Sequence, residues 1–176
     1  MRSANLRSIL IPLWACALCC YMNCQTPSAC QTRELALDLT SGGTGSGHDS
    51  AGFELTNQGS RTCTLYGFPS AVALNSKKRI VREFRFHHSQ PTVGEPENRE
   101  PREIALRPGE HAWFEIDSTN PTGREDDAKS MALWKKAAWV RITPPMNKKP
   151  FRQLFEFSSC DADASISFLV PGSPND

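Results

Sequence analysis

Residues 55–69 read LTNQGSRTCTLYGFP: two apolar, β-favouring runs flank a polar turn, and a single cysteine, Cys63, opens the second run. Working back from this stretch, FELTN from Phe53 alternates apolar and polar side chains and turns Phe53 and Leu55 inward, the period-two signature of a half-buried strand. Asn57-Gln58-Gly59-Ser60 supplies residue types that tolerate positive φ and predicts a turn. The next strand then runs over 62–66. Further upstream, residues 32–40 (TRELALDLT) place Leu35, Leu37 and Leu39 on one face. The intervening SGGTGSGHDSAG predicts a Gly/Ser loop without regular structure.

The same punctuation continues downstream. Residues 71–74 form a strand, Asn75-Ser76-Lys77-Lys78 a turn, and 79–86 (RIVREFRF) a strand that sets Ile80 apart from Arg82, Phe84 and Phe86. Residues 90–101 hold three prolines and no apolar cluster, so they read as a loop. Residues 104–106 and 111–116 flank Arg107-Pro108-Gly109-Glu110, whose central Pro-Gly suits a type II turn and predicts a hairpin. Strands over 139–143, 154–157 and 165–170 complete the set, the first of them stopped by Pro144-Pro145. No long stretch carries a helical period. The pattern predicts one all-β domain, a two-sheet antiparallel β-sandwich of about seven to nine short strands.

A chain of 176 residues, 39% apolar and 22% charged, has room for one ordinary domain. The formal net charge of +1 gives no reason to expect a polyelectrolyte partner, so nucleic acid is not expected. The amino terminus has the build of a secretory signal: MRSANLR carries Arg2 and Arg7 without an acid, and the apolar ILIPLWACALCCYM follows. That run is shorter than the roughly 20 residues a spanning helix needs. Residues 1–29 are read as the signal and 30–176 as the exported domain. Competing cleavage sites stand at Ala15-Cys16-Ala17 and near Ala29, and Leu13-Trp14-Ala15-Cys16 loosely follows a lipobox, which would lipidate Cys16 and anchor the protein to a membrane.

Of 7 cysteines, Cys30, Cys63 and Cys160 survive a cut before residue 30, and an exported protein meets an oxidising compartment. With Cys30 opening the first strand and Cys63 on a strand nearby, Cys30–Cys63 is the favoured pair. Closing that loop is worth roughly 3–4 kcal/mol in the chain-entropy model. Three being odd, one thiol is left free, lipidated, or paired elsewhere.

The run LTNQGSRTCTLYGFPS, the later LRPGEHAWFEI and the late Cys160 before a closing strand together resemble a bacterial domain of unknown function, the family numbered four-two-three-two. The likeness spans roughly residues 30–170. It implies an exported or lipid-anchored immunoglobulin-like sandwich and supports the Cys30–Cys63 bridge. Members typically carry a further cysteine that partners the late one. This chain has none between Cys63 and Cys160, which leaves Cys160 without that partner. The resemblance implies no activity.

Candidate chemistry is sparse. His87 and His88, with His111 and Cys160, have the donor types for zinc or copper, yet neighbouring strand residues point to opposite faces and no further ligand stands at metal spacing. Glu125-Asp126-Asp127 lacks the alternating oxygens and turn glycine of a calcium loop. No G-x-S-x-G occurs, and Gly42–Gly47 lacks the Lys-Ser/Thr of a phosphate loop. Cys160 sits beside Asp161 with no neighbouring cation to lower its pKa. Trp134, followed by Lys135 and Lys136, is the best candidate for a partner contact. Loops at 41–50, 87–101 and 118–130 are the expected contact surface. The expected function is that of an exported envelope or extracellular module that binds a protein or glycan or serves structurally, without catalysis and without a cofactor. A metal-handling protein is the alternative, and a secreted hydrolase the weaker one.

Overall fold

A computed structural model of the chain describes residues 27–45, 48–92, 100–119, 137–157 and 163–173. Among these the only helical element is a 3-10 turn, Thr32–Glu34, and the rest of the regular structure is β. The largest sheet has the order β1-β2-β7-β10-β5, formed by Leu35–Gly45, His48–Asn57, His111–Thr119, Asp163–Ser167 and Arg85–Ser89, with β11 (Val170–Pro171) paired to β7. A two-stranded sheet joins β3 (Cys63–Leu65) to β6 (Ile104–Leu106). A three-stranded sheet has the order β4-β8-β9, formed by Ser70–Leu74, Trp139–Thr143 and Phe155–Glu156.

The three sheets share one core, which gives the sandwich-like arrangement. Phe53 on β2 stacks on Phe114 of β7 at 5.3 Å between centroids and meets Phe155 of β9 edge-on at 5.0 Å. Around them lie buried Leu35, Leu37, Leu55, Ile116 and Ile166 from the large sheet. Cys63, Leu65, Leu106, Val140 and Ile142 come from the smaller ones. The expected inward pair Phe53 and Leu55 is thus fully realised. Leu39 is not: it opposes Phe53 but is 54% exposed. It lies on the edge strand just before a bulge at Thr40, and such an extra residue twists the edge away from regular packing.

Several elements differ from their sequence reading. The Gly/Ser stretch is not a loop. β1 and β2 stay in register from Ser41↔Gly52 to Gly45↔His48, so the backbone ladder extends the hairpin where the side chains give no pattern. The strand read over 79–86 begins only at Arg85. Val81 N–H bonds to the Ala73 carbonyl at 2.9 Å and Phe84 N–H to Val81 at 3.2 Å, which turns the chain at Arg82-Glu83 and sends Arg85–Ser89 to the large sheet. There β5 pairs with β10 in parallel, an exception to the antiparallel expectation made feasible by the long connection between them. The closing run splits into β10 and β11 around Phe168-Leu169, so the described residues hold eleven strands rather than seven to nine.

The Pro-Gly turn forms, with Gly109 at φ +84° and Glu110 N–H bonded to the Arg107 carbonyl at 3.0 Å, but its flanking strands do not pair with each other. β6 goes to β3 and β7 to the large sheet, so the turn is a crossing between layers. Gly109→Ala is expected to cost about 1–2 kcal/mol in urea unfolding. No atom crowds a Cβ at that position, and the penalty is the left-handed backbone alone.

Candidate binding surface

Cys30 and Cys63 are bonded, and both are buried. Cys30 does not open β1 as expected. Residues 28–30 instead run beside β3: Cys30 N–H bonds to the Thr64 carbonyl at 2.9 Å and Thr64 N–H to the Ser28 carbonyl at 3.1 Å. Asn147 ties the same segment to the turn after β8. Its Nδ2 donates to the Cys30 carbonyl at 2.8 Å and its Oδ1 accepts from Thr32 N–H at 3.1 Å. Arg61 grips Glu34 with two parallel bonds, Nε to Oε1 at 3.0 Å and Nη2 to Oε2 at 2.8 Å, and reaches Ser28 Oγ.

Gln31 N–H donates to Glu34 Oε2 at 2.8 Å. That backbone bond first, and the Arg61 guanidinium second, hold the Glu34 carboxyl below its ordinary 4.5. A lowered carboxyl pKa stabilises the fold above the ordinary value, and the gain disappears as pH falls through the lowered one. Glu34→Gln is therefore expected to be less stable than the parent at pH 7 by no more than about 1 kcal/mol, since the site is partly solvated. The gap should narrow as pH falls from the ordinary carboxyl range through the lowered value, read by urea unfolding across an acid pH series.

The histidines do not converge. His111 Nδ1 lies 2.9 Å from Thr56 Oγ1 and 3.0 Å from Glu54 Oε1, near the β2–β7 ladder end. His87 lies 3.5 Å from Asp163, while His88, on the opposite face as anticipated, stacks flat on Phe68 at 3.9 Å. Among the described residues no three of His, Cys, Asp and Glu gather to hold a metal. Trp134, Lys135, Lys136 and Cys160 lie outside the described residues, as do 46–47, 93–99 and 120–130 of the expected contact loops. His87 and His88 are strand rather than loop, and 41–45 and 48–50 belong to the long hairpin.

A feature the residue pattern did not disclose is the open side of the sandwich. β4 is the edge of its sheet and β5 the edge of the large one. Between them a groove of about 310 Å³ is floored by Phe84, Phe86 and Ile166 and walled by residues 69–73 and Ile80. Phe84, Phe86 and Phe157 form a ring cluster with centroids 5.2–5.8 Å apart, and all three are half-buried. Arg82 lines the groove, and Lys77, Lys78 and Arg79 are exposed near it in sequence, with the acid Glu83 among them. Arg85 is exposed on the opposite face of β5 from Phe86, where Asp163 is its ladder neighbour. None of the five cations makes an ion pair among the described residues.

A disulfide-tied chain whose described residues are almost wholly β, with its core between facing sheets, defines a sandwich module. The model of a domain of unknown function, DUF4232, matches residues 30–165, and the chain belongs to that family. The match opens on Cys30, the first half of the bridge. No curated protein and no solved structure matches the chain. Among the described residues no helix is long and apolar enough to cross a membrane.

Proposed function

We propose that the protein is an exported bacterial module of the cell envelope or exterior that binds a protein or glycan, or serves structurally, and carries out no chemistry of its own. The observation that carries this reading is the buried Cys30–Cys63 bond at the start of the family domain. Such a bond persists in an oxidising compartment. The basic and apolar run ahead of it has the form of an export signal. Lipid anchoring would follow from cleavage before Cys16.

Intact mass of the protein recovered from its own host, before and after reduction, tests the location: the expected species begins near residue 30, or at an acylated Cys16, and gains two hydrogens on reduction. An uncut chain beginning at Met1 with all thiols free would overturn it. Glycan and protein arrays probed with the same material test the role, and turnover of an arrayed substrate would count against the non-catalytic reading.

A further inference from the structure

We infer that the groove between β4 and β5 is a docking site for an extended acidic segment of another protein, which adds a strand to the free edge of β4. The inference rests on the binding reading above and names the surface and the chemistry of its partner.

Three observations converge on this occupant. The first is backbone polarity. In an antiparallel strand successive residues direct their N–H and C=O groups alternately to the two sides. Ala73 bonds through its carbonyl to Val81 on the side away from β8, so Ala71, two residues earlier in the same unbroken register, faces that side as well. The Leu74↔Ile80 bridge closes only the far end of this edge. Over Ser70–Val72 no described strand pairs with it. Unpaired edge groups are the template that strand addition uses.

The second is the floor. A segment lying along β4 points every other side chain downwards, and Phe84 and Phe86 offer apolar, partly exposed rings beneath it. That spacing selects a partner with apolar residues at alternate positions. The third is charge. Arg82 lines the groove and Lys78 and Arg79 stand exposed near it in sequence, without an ion-pair partner among the described residues. Glutamate or aspartate at the remaining alternate positions complements them. An anionic lipid surface would meet the cations but could not use the β4 edge, and this separates the two.

The test uses the protein with its disulfide intact and a fluorescein-labelled ten-residue peptide alternating glutamate with valine. Saturable binding in the micromolar range is expected by anisotropy, weakening at least tenfold for a lysine–valine peptide, for the acidic peptide N-methylated on alternate amides, and for the R82E variant. Amide shifts should centre on Ala71, Phe84 and Phe86. Ala71→Pro removes the outward donor at a position where an edge strand tolerates proline, and should weaken binding tenfold with thermal unfolding retained. If that variant fails to fold, the N-methylated peptide decides. Equal binding of the methylated and parent peptides, shifts confined to another face, or Arg82-dependent binding only to phosphatidylglycerol vesicles would each overturn the strand-addition site. None of these results touches the broader binding reading, which array ligands elsewhere on the molecule would keep and substrate turnover would remove.

Discussion

Replacing both Cys30 and Cys63 by alanine is expected to lower the unfolding free energy by about 3–4 kcal/mol, the largest effect of any side-chain change here. The bridge joins residues 33 apart in sequence, and closing a loop of that size removes denatured-state entropy worth roughly that amount. For a domain of this length each kcal/mol moves the melting temperature by about 2–4 °C, so a drop of about 6–16 °C should accompany it. The bond also has a local role. Residues 28–30 lie along β3 through only two backbone bonds, and without the covalent tie the Asn147 and Arg61 contacts hold that segment alone. Urea unfolding of the parent with and without dithiothreitol should reproduce the variant's loss. An unmoved midpoint on complete reduction would show that folded-state contacts, not the bond, fix the segment.

The second large effect is expected at Asn57, which is fully buried at the end of β2. Its Nδ2 spends both hydrogens, on the Arg61 carbonyl and the Leu106 carbonyl, each at 2.9 Å, and its Oδ1 accepts from Gly59 N–H at 2.9 Å. Its own backbone receives Gly109 N–H at 2.8 Å and donates to the Glu110 carbonyl at 3.0 Å. One residue thus fastens both crossings between layers, the one after β2 and the one at the Pro-Gly turn. Asn57→Ala leaves the buried Leu106 carbonyl without this donor and the part-buried Arg61 carbonyl and Gly59 amide without theirs, and about 2–4 kcal/mol should be lost in urea unfolding. Asn57→Asp keeps the shape and the acceptor but faces a carboxylate towards two carbonyl oxygens. It is expected to be at least as damaging at pH 7 and to recover part of the loss on acidification, when the protonated acid regains a donor. An alanine variant within about 0.5 kcal/mol of the parent would mean that water replaces the amide.

The stretch around Asn57 also marks what was legible in the residues. Alternation located Phe53 and Leu55 in the core, the strands at Cys63–Leu65, Ser70–Leu74 and Trp139–Thr143, and the Cys30–Cys63 pair. These are decided by side chains whose burial is local and periodic. What failed depended on where the backbone goes next. LTNQGSRTC reads as a turn between strands and LRPGEH as a hairpin, but a turn sequence fixes a reversal and not whether the chain returns to the same sheet. In both, the strand after the turn joins the opposite layer. Positive φ was expected at the Asn57 turn, yet neither Asn57 nor Gly59 adopts it, and Lys78 and Gly67 do. The asparagine is there for its amide. The Gly/Ser segment became strand because its partner strand carries the ladder past side chains that prescribe nothing.

The open side was invisible for a related reason. RIVREFRF reads as one strand, and only the break at Arg82-Glu83 leaves Phe84 and Phe86 flooring a gap between two sheet edges with Arg82 at its lining.

The parallel pairing of β5 with β10 has a consequence for how a nascent chain matures. Arg85 finds its ladder partner only when Asp163 has been synthesised, so nearly the whole domain must leave the ribosome before the large sheet acquires that margin. Until then the Phe84–Phe86 hydrophobic stretch waits uncovered, a natural target for a holdase. The loop-closing bond does not wait for Asp163, since both its sulfurs lie within the first 63 of the 176 residues.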